Sequence, residues 1–200
     1  MGDNYKRIVE ANVAKLYAKL PHDLADRIGA SQSEEQFTFA AFGGICRIQS
    51  QGIHLDDERQ TNVIGILLSL YALHADPAHL VLEPFKAYKD FPNSMPYAGA
   101  FVSHTEQILV PHVGNLKKAQ DRICQRLNGH DATTRVAGDF AWVLYPLPKI
   151  ALCYIFYEAD EDFPASVTCL FSSNADLFLP MDALADVGEY TSKKILTLLG

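Results

Sequence analysis

Phe140-Ala-Trp-Val-Leu-Tyr145, Pro146-Leu-Pro-Lys149 and Ile150-Ala-Leu-Cys-Tyr-Ile-Phe-Tyr157 together decide the fold. Both apolar runs are rich in β-branched and aromatic residues and show no polar face. Central strands covered on both sides have that composition. The proline-punctuated link is short enough to turn one run back on the other as an antiparallel pair. In that register Asp139 opposes Phe156, so Asp139 shares a sheet end with Glu158 and Asp160. Extended chain from Lys149 to Asp160 spans upward of about 30 Å, which removes Lys149 from any site built on those acids.

Working outward, Val167 to Phe171 predicts a third strand, reached through the acidic stretch that starts at Glu158. Upstream, Phe37 to Phe42 alternates in part, and Gly43-Gly44 supplies a two-residue turn into Ile45 to Ile48. Apolar residues at helical spacing predict helices over Tyr5–Leu20, Leu24–Ile28 and Leu116–Leu127, and from about Asp182 to Leu198. Gly29 ends the second of these, Asn115 is placed to cap the third, and Asn128-Gly129 stops it. Glu58 to Leu73 is apolar nearly all round, the pattern of a helix packed on several sides. The expected fold is α+β: one domain over residues 1–200, with an antiparallel sheet (N-terminal hairpin plus C-terminal meander) packed by four to six helices.

Composition supports a folded chain. Apolar residues form 48% and charged residues 20% of the 200, enough for a real core. The formal net charge of −7 argues against nucleic acid as a partner. Charge is uneven: Ile150 to Ser192 holds Glu158, Asp160, Glu161, Asp162, Asp176, Asp182, Asp186 and Glu189 and no Lys or Arg. Lys117, Lys118, Arg122, Arg126 and Arg135 make an opposite, basic pole. Poles of opposite sign steer partners or pair copies, so a homo-oligomer is one expectation; ordinary solvated faces are the plainer one.

The first residues lack the apolar stretch of a secretory signal, and Lys6 breaks the myristoylation pattern begun by Gly2. The nearly unbroken apolar run Val63–Leu73 is too short for a bilayer core, which needs about 20 residues. The expectation is therefore a cytoplasmic protein with no membrane partner. Cys46, Cys124, Cys153 and Cys169 form no CxxC and have no neighbouring ligand histidines. They are expected to stay reduced and pack as small apolar groups, with no metal site. The sequence contains no GxSxG, HExxH, Walker loop or dinucleotide GxGxxG.

Gly138-Asp139, Pro146 to Lys149, Asp160 to Pro164 and Leu170-Phe171 carry a resemblance. With Phe85-Lys86, Phe91-Pro92, Tyr97 and Phe101 upstream, the chain resembles the domain of unknown function family 3786, uncharacterised proteins of anaerobic bacteria and archaea. Ser172 stands where that pattern has Asp, so no role for that carboxylate transfers. The resemblance implies an accessory role in anaerobic metabolism, beside one-carbon and corrinoid enzymes, rather than a particular reaction. Some relatives add an iron–sulfur segment, whose cysteine motif this chain lacks.

Two clusters are candidates for chemistry. Aromatic and basic residues around Lys86, Tyr97, Phe101 and His104 are suited to wall a pocket for a flat or anionic small molecule. Alternatively those rings anchor a long connection to the core. Asp139, Glu158, Asp160 and Asp162 are suited to bind a hard cation or shift one another's pKa, or else to cap their own turn. The leading expectation is a binding or accessory protein whose cofactor and catalytic residues, if any, are not readable. A carboxylate-based metal-dependent enzyme and an oligomeric interaction module are the alternatives.

Overall fold

The computed structural model describes residues 2–199. Its ten strands fall into two antiparallel sheets of five. The first is a meander of β1 (Ser31–Ser33), β2 (Gln36–Ala41), β3 (Gly44–Gln49), β4 (Gly52–Leu55) and β5 (Glu58–Arg59). The second has the order β6 (Lys86–Ala87), β10 (Ser166–Phe171), β9 (Ile150–Tyr157), β8 (Phe140–Leu147) and β7 (His130–Asp131). Helices α1 (Gly2–Ala18), α2 (Leu24–Ile28) and α3 (Val63–His74) belong to the N-terminal half. Helices α4 (Met95–Phe101), α5 (Val113–Lys118), α6 (Gln120–Arg126) and α7 (Met181–Thr197) complete the chain.

The α+β class and the antiparallel β8–β9 pair are as expected, but the N-terminal hairpin builds its own sheet. It does so because tight turns keep returning the chain to its own edge. Asp56 and Asp57 both adopt positive φ (49° and 69°), the conformation of a two-residue hairpin turn that Asp tolerates. Strand β5 therefore uses Glu58-Arg59, and α3 starts only at Val63, where the Asn62 side chain accepts from Gly65 N–H at 3.2 Å. The β2–β3 turn is Phe42-Gly43 rather than Gly43-Gly44, since Ala41 pairs with Gly44. Phe42 holds φ 48° with its ring buried and its N–H donating to Pro146 O at 2.8 Å. Burial and that bond compensate an αL conformation unusual for an aromatic residue.

The register of β8–β9 carries a bulge. Leu144 pairs with Leu152 but Leu147 pairs with Ile150, which places the turn at Pro148-Lys149. Proline at 146 cannot donate a ladder hydrogen bond, and a bulge is where a strand tolerates that. Asp139 is accordingly displaced by one: Phe140 opposes Phe156, while Asp139 N–H still donates to Phe156 O at 2.9 Å. The predicted helix over Leu116–Leu127 is two helices, because Ala119 leaves helical geometry at φ −97°, ψ 5°. Asn115 lies inside α5 and caps nothing; Asn128 (φ 53°) makes the left-handed stop after α6.

Strands β8 and β9 are buried on both faces, as their composition predicts. Phe140, Trp142, Leu144, Leu152, Tyr154 and Phe156 face the main core with the helices. Ala141, Val143, Ala151, Cys153 and Ile155 form a smaller core covered by the loops that carry Leu82, Phe85 and Val136. Cys153 and Cys169 thus lie on opposite faces of the sheet. The two sheets meet where Phe42 of the β2–β3 turn bonds to Pro146 of β8, and the end of α2 and α3 close on the β8–β9 turn. Gly29, left-handed at φ 65°, approaches Pro148 so closely that a Cβ on it would lie 2.6 Å from Pro148 Cβ. Tyr71 of α3 donates to Ile28 O at 3.0 Å and accepts from Lys149 N–H at 3.1 Å. No described helix is long and apolar enough to cross a membrane.

Candidate functional site: a cleft beside the edge of β10

Strand β6 pairs only with Leu170 and Phe171 of β10, so Ser166 to Cys169 form an edge without a partner strand. Helix α4 and the wide π-helical turn that continues it (Val102–Glu106) run past this edge. Isolated π turns inside helices are frequent at functional sites. The space between is a cleft of about 280 Å³, walled by Tyr88, Ala98, Phe101, Val102, Glu106 and Cys169, with Lys89 and Thr168 also lining it. Its back wall is rigid: Tyr88 and Phe101 stack with centroids 4.6 Å apart, and Phe101 lies 5.5 Å from Phe171. The Tyr88 hydroxyl donates to Met181 O at 2.6 Å, which ties the wall to α7. Gly188 of α7 allows this approach, since a Cβ there would lie 2.5 Å from Phe101 Cε2.

One acid, Glu106, enters this largely apolar setting. Glu106 Oε1 accepts from Cys169 N–H at 2.8 Å, so a side chain replaces the missing strand partner at that edge position. Burial pushes the Glu106 carboxyl above its usual range, and the Cys169 hydrogen bond opposes the shift without cancelling it. A raised carboxyl pKa means the fold favours the protonated form. The resulting stability is full at acid pH, below the unfolded pKa, and is lost as pH rises through the folded pKa. Glu106→Gln keeps an acceptor for Cys169 N–H and never ionises. Its melting temperature is expected to exceed that of the parent chain near neutrality and to match it in acid; an equal difference at every pH would contradict this.

Behind the cleft lies a buried polar chain. Tyr154 hydroxyl and Ser192 Oγ are 2.9 Å apart, and Ser192 Oγ donates to Thr105 O at 2.8 Å. Thr105 Oγ1 is buried with no hydrogen-bond partner. Burial, and then the charge of Glu106, push the Cys169 thiol well above its ordinary value. Burial likewise raises the Cys153 thiol to about 12 and the Cys124 thiol to about 11. All four cysteines are free and buried, and none of these thiols is poised as a thiolate nucleophile.

Of the residues singled out by sequence for a pocket, Phe101 lines the cleft. The Lys86 ammonium lies 5.2 Å from the Phe91 ring centroid instead. Tyr97 is exposed on α4, and His104 Nδ1 lies 3.0 Å from Glu189 Oε2 on α7. Burial pushes Glu189 up, but Lys193 and His104 outweigh it and hold the carboxyl below its usual range. The second set divides in two. Asp139 Oδ2 accepts from Glu158 N–H at 2.6 Å, and Glu158 pairs with Lys117. Asp160 Oδ1 accepts from Asp162 N–H at 2.9 Å and Phe163 N–H at 2.7 Å, which is a self-capped turn. Among the described residues no three His, Cys, Asp or Glu side chains are grouped to hold a metal ion.

Sequence reasoning did not single out Glu106. Its signal was faint: an acid between Phe101 and the apolar Leu109-Val110, whose inward direction depends on the π turn. Neither a curated protein nor a solved structure matches the chain. The family described as domain of unknown function (DUF3786) matches residues 21–194, a span that holds the cleft, the buried polar chain and the acidic turn, and the chain belongs to that family.

Proposed function

We propose that the chain is a small-molecule-binding protein whose ligand occupies the cleft between α4, the π turn and β10. The observation that carries this reading is the half-buried Glu106 carboxyl in the wall of a mostly apolar, aromatic-backed space whose other polar side chains are Lys89 and Thr168. Ligand pockets have that make-up: mostly apolar walls with one or two placed polar groups that fix orientation. Such a site favours a compact aromatic or aliphatic body with one hydrogen-bond donor directed at the free lone pairs of Glu106. With Cys169 buried and its thiol pushed up by that burial, the site holds and orients rather than attacks. This agrees with the accessory role in anaerobic metabolism that the family resemblance implies. Of the four residues that the sequence suggested for a pocket, the proposed ligand meets Phe101; Lys86, Tyr97 and His104 lie outside the cleft lining.

Ala98→Trp fills the cleft from the solvent side of α4, where Ala98 is only half-buried. The probe is aminonaphthalene, an aromatic amine whose fluorescence rises in apolar surroundings. Saturable enhancement with the parent chain and its loss in Ala98→Trp, with unchanged circular dichroism, is the expected result. Equal enhancement in both proteins would remove the proposal. Native mass spectrometry of protein purified anaerobically from its own host then identifies the physiological ligand by mass.

A further inference from the structure

The acidic turn after β9 and a basic groove beside it are complementary. The groove lies between α5, α6 and the end of α7. Its cations are Lys118 and Arg122, with the single acid Asp121 and the polar His112 and Asn115 beside them, its floor includes Leu196 and Leu199, and its volume is about 850 Å³. Neighbouring cations are committed elsewhere: Lys117 to Glu158, Arg126 to Asp56 and Arg135 to Glu83. Lys118 and Arg122 have no such carboxylate partner among the described residues. A protein with a net charge of −7 thus keeps two free cations over an apolar floor.

The turn has the opposite character. Asp160 N–H donates to Phe163 O at 3.0 Å, and Asp160 Oδ1 accepts from the next two amides, so the loop is closed on itself. It projects Phe163, 71% exposed, with Glu161 and Asp162 exposed beside it. An aromatic side chain left out of the core on an ordered loop is a suitable anchor for an interface, and little ordering entropy remains to be lost on docking. Because Glu158 pairs with Lys117, the turn abuts α5, the helix whose next residue, Lys118, lines the groove. A turn and a groove flanking one helix allow a two-fold arrangement in which each copy gives its turn and receives its partner's.

We infer that two copies of the chain associate reciprocally, with Phe163 of each on the Leu196–Leu199 floor of the other and Glu161 and Asp162 against Lys118 and Arg122. The test is sedimentation velocity on the full chain at about 10 mM and about 1 M salt, where the screening length falls from about 30 Å to about 3 Å. Dimers at low salt are expected, with a dissociation constant at least about tenfold weaker at high salt. Phe163→Ser and Arg122→Glu each weaken association at least about tenfold at low salt, and adding Glu161→Arg to Arg122→Glu restores it. All changed side chains are exposed, and circular dichroism confirms that each variant folds. A monomer at every concentration in low salt overturns the inference, as does a dimer indifferent to salt or to both single variants.

Discussion

Trp142→Ala is expected to cost about 3–5 kcal/mol, the range for removing a large buried aromatic side chain. That is a large share of the about 5–15 kcal/mol by which folded domains are stable. Trp142 is fully buried on β8, with centroids 5.7 Å from Phe140 and 4.5 Å from Phe156. Truncation would open a cavity on the face of β8 that packs against the helices, where the flanking aromatic residues are already held by their own contacts, so the site cannot collapse to fill it. Trp142→Phe is the informative contrast. It keeps much of the ring packing and removes Nε1–H, which is buried with no hydrogen-bond partner. Its cost is expected to stay below about 1.5 kcal/mol. Urea midpoints for the two variants check the order, and an alanine variant within about 1 kcal/mol of the parent would contradict it.

Tyr71→Phe is expected to cost about 2–3 kcal/mol although it deletes one oxygen. That hydroxyl is the joint between the halves of the fold, donating to Ile28 O and accepting from Lys149 N–H. Losing it strands a carbonyl and an amide in a region that closes too tightly to admit compensation, with Gly29 against Pro148. Burial pushes the Tyr71 hydroxyl well above its ordinary pKa, so the joint stays protonated through the physiological range. Lys149→Ala is the control: it keeps the backbone amide that Tyr71 uses, gives up only the long side-chain bond to Ala78 O (3.4 Å), and should retain most of the stability that Tyr71→Phe loses. Calorimetric melting of the two variants separates a lost joint from a generally weakened core.

Where periodicity acts alone, its reading matches the structure. The valine and leucine stripe of α1, the all-round apolar α3 and the two-faced burial of β8 and β9 follow from spacing along the chain, which fixes the side of an element each residue occupies. Reading failed where backbone geometry competes with composition. Positive φ at Phe42, Asp56 and Asp57 moved one turn and created the short strand β5, and Ala119 divided a helix whose apolar stripe continues unbroken through Leu116, Ile123 and Leu127. Asp139 and Glu158 do meet, as the hairpin implies, but Asp160 turns inward on its own loop.

The amino-acid order alone determined α1, α2, α7 and the body of α3, the antiparallel β8–β9 ribbon with its doubly apolar faces, and the segregation of acidic from basic residues along the chain. These rest on interactions between near neighbours, which steric limits and burial periodicity constrain directly. The partition into two sheets, the Tyr71 joint and the Glu106 contact were decided by tertiary structure. Glu106 meets Cys169 across 63 residues of chain. Such a pairing depends on how α4, its π turn and β10 come to rest against a shared aromatic core, and no local propensity encodes that distance.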